Sequence, residues 1–591
     1  MGTLQHLRFG HDIVFTFGPL GYLLHGVPAP ELALQMMLAT MTLVLIAMFG
    51  IWSACAGRPN PLMRVAFLLA VFLSASALGL DYLVFFGVLG LLARASRSPR
   101  AAPFVAVVIS AVGLFGLLSK QTLGLDVFAS AGIFWLSQFA IGPRRRRWAA
   151  GVCLAIAAGI SGLGLLAAFG GSFGDTLEYL NGAREIISGY SSAMAVPGPR
   201  AVSAGAVLIL AVSAFACVLV ARERKAPLAL AIGAALFLAW KHGFVRADGH
   251  VINFFVAAAV MVPMLGMAAR GRNAVIASAA ATWVAYAGLG WSAATFGLAP
   301  QDLAQPARLF TGLAYVVHPL QTARTLRAAS AAALEGDQLL PDARHRIGTA
   351  GVDVIPSETA IVYANGLRWR PLPVFQSYSA YTPKLDELDR ARLAASGANI
   401  TLMKYEDIDA RYPLSVEPAT FSELACRYRA SAWTASTRGG VDFIPLVRQG
   451  TRNCSESDAG RAAEPIDLAA AIAIPAVSPG STDLIRASIM LHPTTFGTIA
   501  GALWRMPATW IEATYQDGSR RRWRLVADTA RDGVIVSPMP RDVTEARAMF
   551  GARAVPQATV TSIQILTWSA FYRLDGVRFT RLRRDALRAK G

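Results

Sequence analysis

The sequence predicts a multi-pass α-helical membrane domain followed by extracytoplasmic α/β and β-sandwich domains. Three observations carry this. First, 54% of the 591 residues are hydrophobic and 16% charged, with a mean hydropathy of +0.45. A disordered chain needs low hydrophobicity, and an ordinary soluble domain has roughly a quarter of its residues charged. Second, the charges divide unequally. Residues 1–295 hold 20 Lys/Arg and 9 Asp/Glu, whereas residues 296–591 hold 35 and 28. Third, the cations of the first half gather in alternate loops between apolar runs.

About 20 apolar residues are needed to cross the hydrocarbon core. Ten stretches approach this: 33–55, 62–80, 82–93, 101–118, 124–141, 148–169, 202–221, 227–241, 250–268 and 274–293. Arg58 and Arg64 follow the first and Arg94, Arg97 and Arg100 the third. Arg144–Arg147 follow the fifth, Arg222, Arg224 and Lys225 the seventh, and Arg270 and Arg272 the ninth. These 14 of the 20 cations share one side with a single acid, Glu223, and the other side carries eight acids. The positive-inside rule makes the basic side cytoplasmic. An even span count then leaves residues 1–30 as an external loop ahead of the membrane domain, 31–295, and places the C-terminal half outside the inner membrane. An eleventh span upstream of Met1 is expected.

Ionisable groups held at a membrane boundary are expensive and often functional. Asp12 is the one carboxylate in Phe9–Tyr22, a run otherwise aromatic and glycine-rich in which Gly18, Pro19 and Gly21 form a turn. Its apolar flanks predict a raised pKa, suited to a general base; a solvated Asp beside aromatic anchors is the structural alternative. Between Lys241 and His250, Lys241 and Arg246 are placed to grip a phosphate, and His242 and His250 to move protons or bind metal. Snorkelling of Lys241 is the bland alternative. Lys120, near Asp126, is a further external cation. Asp175–Gly189 reads as an interfacial helix and Gly189–Met194 as a turn.

No Walker loop, GxSxG elbow, HExxH or EF-hand motif is present. The layout, with an acid in the first external loop, an interfacial helix and a large extracytoplasmic C-terminal part, resembles the GT-C superfamily of membrane glycosyltransferases. That resemblance implies transfer of a sugar from a polyprenyl-phosphate donor to an envelope glycan or lipid acceptor, with inversion. Asp12 would be the base, and Lys241, Arg246 and Lys120 would meet the leaving phosphate. The superfamily's acidic pair is a lone Asp here, so metal use stays open: some members need a divalent ion and others do not, and no cofactor is certain. The alternative is a non-catalytic membrane protein that binds envelope glycans or scaffolds envelope assembly.

Residues 296–345 read as a helical connector broken by Pro300, Pro306 and Pro319, and 346–460 as an α/β domain. Within it Thr359–Tyr363 and Asn399–Met403 read as strands. Tyr381–Gly397 reads as a helix capped by Thr382, with Pro383 at its first position. Trp369, Gln376, Tyr378 and Tyr381 suit either a sugar-binding surface or packing. Cys426 and Cys454 are the two cysteines of this half and are placed to form a disulfide, worth about 3 kcal/mol in the chain-entropy model. After a linker at Arg461–Glu464, residues 465–591 read as a β-sandwich resembling carbohydrate-binding modules, with Asp-Gly turns at 517, 532 and 575. Nucleic acid is not expected as a partner, because the basic residues of this half are spread out rather than clustered.

Overall fold

The computed structural model describes residues 2–25, 29–56, 60–298, 317–462, 467–478 and 480–584. Arg58, residues 299–316 of the 296–345 connector with Pro300 and Pro306, part of the 461–464 linker and the basic tail beyond 584 lie outside the described residues. The chain forms two compact units. One is Thr16–Thr176 with Pro197–Ser330; the other is Met1–Phe15, Leu177–Val196 and Ala331–Gly591.

The first unit is helical. After a turn of helix at Tyr22–His25 (α1) come α2 (Ala33–Cys55), α3 (Pro61–Ala77), α4 (Leu80–Arg97), α5 (Ala102–Ser119), α6 (Gln121–Ile141) and α7 (Arg144–Ala168). Following α8 (Phe173–Ala193) are α9 (Arg200–Val220), α10 (Ala226–Val245), α11 (Val251–Ala268) and α12 (Arg272–Thr295). Helices thus occupy all ten apolar stretches, but the count of ten spans is corrected. Among the described residues, seven stretches are long and apolar enough to cross a membrane. At 17 residues α3 is short of that length, and α4 carries Asp81 in its first turn and Arg94 and Arg97 in its last. The stretch Arg200–Val245 counts once, although Glu223 and Arg224 leave helical geometry within it.

Small residues let these helices approach closely, the usual device where no water drives association. A Cβ on Gly50 of α2 would fall 2.1 Å from the Gly87 carbonyl of α4. Helix α11 is the centre of the unit, with Val251, Phe254–Gly266 and Ile252 all buried.

The second unit is mixed. Its α/β part has strands β1 (Gly351–Ile355), β2 (Arg368–Trp369), β3 (Ile400–Met403), β4 (Tyr428–Ala430), β5 (Ala435–Ser436) and β6 (Asp442–Arg448). The order is β2-β1-β3-β6-β4, with β5 also on β6. β1 runs parallel to both neighbours, and β6 is antiparallel to β3 and β4. The described connector residues form α13 (Pro319–Glu335) and α14 (Pro341–Ile347). The strand expected at Thr359–Tyr363 is instead a short helix, α15 (Ala360–Ala364), because the buried strand of that region is β1, one turn earlier. Helix α16 (Pro383–Ser396) starts where its cap predicts: the Thr382 hydroxyl accepts from the Leu385 N–H. Helix α17 (Pro418–Arg427) packs beside it.

Eight further strands make two four-stranded antiparallel sheets. The first is ordered β11-β10-β13-β8, from Arg520–Leu525, Thr509–Tyr515, Val560–Leu566 and Ile472–Ala473. The second is ordered β12-β9-β14-β7, from Val534–Ser537, Leu484–Pro493, Tyr572–Arg584 and Cys454–Arg461. Neither closes into a barrel. Ile511, Ile563 and Ile565 of one sheet share a buried core with Ile485, Ile489, Val577 and Phe579 of the other. Two short helices, α18 (Thr495–Leu503) and α19 (Val543–Phe550), fill connections between strands.

Two distant segments complete this unit. Ile13 is buried in the α/β core, the Val14 N–H donates to the Pro373 carbonyl at 2.7 Å, and Phe15 stacks on Phe375 at 4.7 Å. Leu177–Ala193 of α8 packs by Tyr179, Ala183 and Ile186, while Leu177, Leu180 and Ile187 stay exposed. Its end is held by Arg524, which donates to the Ala193 carbonyl, and by Ser192, which donates to Asp528. The turn expected at Gly189–Met194 is therefore helix as far as Ala193.

Candidate functional site

The ionisable residues of the helical unit converge at one place. Helices α5 and α6 would be continuous but for Lys120, whose extended backbone (φ −129°, ψ 105°) breaks them. That break turns the Lys120 side chain toward the start of α4, where its ammonium donates to Asp81 Oδ2 at 2.6 Å. A narrow cleft here is lined by Asp81, Tyr82, Lys120, Asp126, His242 and Met261. The free space at its centre, about 20 Å³, holds a water molecule and nothing larger. His25 stands close by: burial and the Lys120 charge lower its pKa, with Asp81 opposing.

The loop after α10 forms a second, smaller polar group. Arg246 donates to Asp248 Oδ2 at 3.1 Å, and the His250 ring pairs with Asp248 Oδ1 at 2.6 Å. Burial pushes the Asp248 carboxyl up, but the His250 N–H and ring and the Arg246 guanidinium outweigh it and hold it low. Lys241 and His242 sit in the last turns of α10 and His250 just before α11. Of the predicted residues, Lys120 and His242 meet in one cleft, and Arg246 and His250 meet through Asp248.

Asp12 belongs to the other unit. Its carboxylate accepts from the Arg8 backbone N–H at 3.0 Å, from Arg392 at 2.9 Å and from the His11 ring at 2.8 Å. Burial pushes it up, yet the Arg8 N–H, His11 and Arg392 prevail and hold it well below the usual carboxylate range. The expected raised pKa is thus corrected. The apolar flanks were visible in sequence, but Arg392 lies 380 positions away. A carboxylate held this low is a weak base.

The aromatic candidates of the α/β part are mostly interior. Trp369 is 6% exposed and Tyr381 3% exposed. Trp369 packs on Phe375, and Tyr381 on Tyr190 of α8. Tyr378 donates to Gln376 Oε1 at 2.5 Å and lies under Arg411. Stacking a sugar needs an open ring face, which neither Trp369 nor Tyr381 offers. Cys426 and Cys454 are joined, with Cα atoms 5.3 Å apart.

Two features carried no assigned role in the sequence. Asp81 was one acid among eight on its side, and its partnership with Lys120 spans 39 positions. The α/β part also buries, besides Glu423 with its two Arg partners, Asp353 on β1, Asp386 and Asp389 on α16, and Glu417 ahead of α17. Asp386 accepts from the Ala419 and Thr420 N–H groups, both at 2.9 Å, and so caps α17 from a neighbouring helix. Asp389 accepts from the Val374 N–H at 2.8 Å. Burial pushes Asp353 up to about 7 and Asp386 to about 6. Burial raises Asp389, with the Glu417 and Val374 hydrogen bonds opposing, and burial together with the Asp389 and Asp386 carboxyls raises Glu417. Among the described residues no three His, Cys, Asp or Glu side chains are grouped to hold a metal ion.

The chain is a multi-pass membrane protein with an apolar helical region and a separate β-rich region. Compared with family models, curated proteins and solved structures, it matches none.

Proposed function

We propose that this protein is an inverting GT-C-type glycosyltransferase of the inner membrane. It would pass a sugar from a polyprenyl-phosphate donor to a glycan or lipid acceptor of the cell envelope on the extracytoplasmic side. The alternation of basic loops supports an orientation with the basic side cytoplasmic. Both polar groups, Asp81/Lys120/Asp126/His242 and Arg246/Asp248/His250, then fall on the external side.

The observation that carries the reading is the cleft between α4, α6 and α10. It sets a cation beside two carboxylates at a helix boundary, where an apolar-tailed phosphate has its head. Lys120 is the group for the leaving phosphate, a charge that grows as the glycosidic bond breaks. Asp81 is committed to Lys120, which leaves Asp126 as the base for the acceptor hydroxyl. Asp12, fixed by Arg8 and Arg392, then anchors its segment instead of abstracting a proton. Since the cleft admits only water, donor entry requires the helices to part.

The test is turnover of radiolabelled polyprenyl-phosphate sugars by the purified chain in nanodiscs. Asp126→Asn is expected to abolish release of polyprenyl phosphate with donor binding retained, and Lys120→Gln to weaken donor binding. Parent-level release by Asp126→Asn removes that base. Failure of every such sugar to bind the parent removes the enzyme reading in favour of a glycan-binding or scaffolding role.

A further inference from the structure

Helix α18 leaves its apolar side uncovered. Phe496, Ile499 and Leu503 fall at spacings of three and four, on one face, and are 58%, 57% and 59% exposed. Trp568, in the connection between β13 and β14, is 65% exposed. The two elements are built as one piece. The Thr494 N–H donates to the Phe571 carbonyl at 2.9 Å and its hydroxyl to the Ala570 carbonyl at 2.6 Å. Phe571 packs on both Phe496 and Trp568, at 5.1 and 5.8 Å between ring centres. On the inner side Gly497 sits against the Phe571 carbonyl, where a Cβ would come within 2.2 Å. The helix is thus fixed by its small face and presents its large one. No charge occurs in 493–504 or in 567–571.

Stable soluble surfaces scatter such residues singly; a fixed, uncharged cluster of Phe, Ile, Leu and Trp marks a binding face. Two observations choose the occupant. Among the described residues are seven helical stretches long and apolar enough to span a membrane, so this unit is tethered at a bilayer whatever else it does. The tether is also short on the side of α18. Arg505, two residues past the helix, donates to the Val196 carbonyl at 2.6 Å, and Val196 is four residues from Arg200, the first residue of apolar helix α9. Four residues reach about 15 Å at most.

We propose that the α18 face, with Trp568, inserts shallowly into the lipid interface beside the start of α9 and acts as a membrane rest for the β-rich unit. Aromatic and aliphatic side chains without charge are what that interface accepts. The proposal does not depend on the catalytic reading.

The full-length chain is reconstituted in phosphatidylethanolamine–phosphatidylglycerol vesicles with a genetically encoded fluorescent amino acid at Ile499. A second preparation carries it at Gln516, in an exposed turn. Iodide quenching at 499 is expected to be about threefold weaker than at 516, with strong quenching by lipids bearing a nitroxide near the headgroup. A label at Leu503 repeats the measurement. Equal iodide quenching at 499 and 516 overturns the proposal. So does protection from iodide without quenching by the nitroxide lipid, which identifies a protein surface, such as a second copy, as the occupant.

Discussion

Replacing Asp389 by Asn makes the β-rich unit more stable at alkaline pH and leaves it nearly unchanged in acid. Asp353, Asp386, Asp389 and Glu417 all have carboxyls raised by burial above their unfolded values. A raised acid favours the folded state fully below its unfolded pKa, near 4, and the benefit is lost as pH rises through the folded value. Stability therefore falls between about pH 4 and 8. The rise of Asp353 from 3.8 to about 7 corresponds to about 4 kcal/mol at 1.36 kcal/mol per unit, before relaxation and water entry reduce it. Removing one member is then worth on the order of 2 kcal/mol near pH 8.5, or roughly thirtyfold in an opening equilibrium. Asn keeps the oxygen that accepts from Val374 and gives Glu417 a donor. Hydrogen exchange of α16 and α17 in the full chain reads this directly, parent against variant at one pH, so intrinsic rates cancel. The expected result is slower exchange in the variant at pH 8.5 and parity at pH 5. Equal loss of protection at both values refutes the reasoning, because it makes Asp389 an anchor for Val374 with no electrostatic cost.

Three other outcomes follow from the same geometry. Asp81→Asn removes the partner of Lys120 and is expected to cut turnover of a polyprenyl-phosphate sugar at least as much as it weakens donor binding; separate measurement of the two decides, and no effect on either detaches this pair from function. Asp12 is held low, so its contribution is present at neutral pH and lost as pH falls through the carboxylate range; Asp12→Ala is expected to expose Met1–Phe15 to limited proteolysis at pH 7, where the parent resists, and equal cleavage contradicts the anchoring role. Reduction of Cys426–Cys454 is expected to destabilise the β-rich unit by about 3 kcal/mol, read as a lower melting temperature with reductant; an unchanged melt means the ladder of Glu423, Arg427, Arg452 and Glu456 holds that corner without it.

Signals that are local in the chain were legible. Apolar runs located the membrane helices, because each run needs no partner to declare itself. Thr382 and Pro383 placed the start of α16, and Gln516–Ser519 the turn between β10 and β11. What failed depended on partners far away. Arg392 adds to the local Arg8 N–H and His11 in holding Asp12 low, and Asp81 acquires meaning only beside Lys120. Thr359–Tyr363 is a short apolar run whose conformation is decided by what β1 already covers. The span count differs for another reason: α3 has only 17 residues, α4 carries Asp81, Arg94 and Arg97 at its ends, and α9 and α10 adjoin through the charged kink Ala221–Lys225, where Arg224 is left-handed at φ 62°.

The segment from Thr16 to Gly21 has no ionisable side chain, yet it sets the position of Lys120. The Gly18 N–H donates to the Ser119 carbonyl at 3.0 Å, the Leu20 N–H to Leu118 at 2.8 Å, and the Gln121 N–H to Thr16 at 3.2 Å. These bonds take up backbone groups that a continuous helix would have paired internally, so they stabilise the break at Lys120. Gly21 makes the approach feasible: a Cβ there would sit 2.8 Å from the Phe17 Cβ and 3.2 Å from the Ser119 carbonyl. Gly21→Val forces the segment off the junction, at about 1–3 kcal/mol by analogy with overpacked cores. Faster hydrogen exchange at residues 119–123 is expected, together with the same loss of donor binding as Lys120→Gln. If exchange rises while donor binding holds, Lys120 is not positioned by this segment. If exchange does not change, the junction is held by α5 and α6 alone, and Gly21 only relieves crowding.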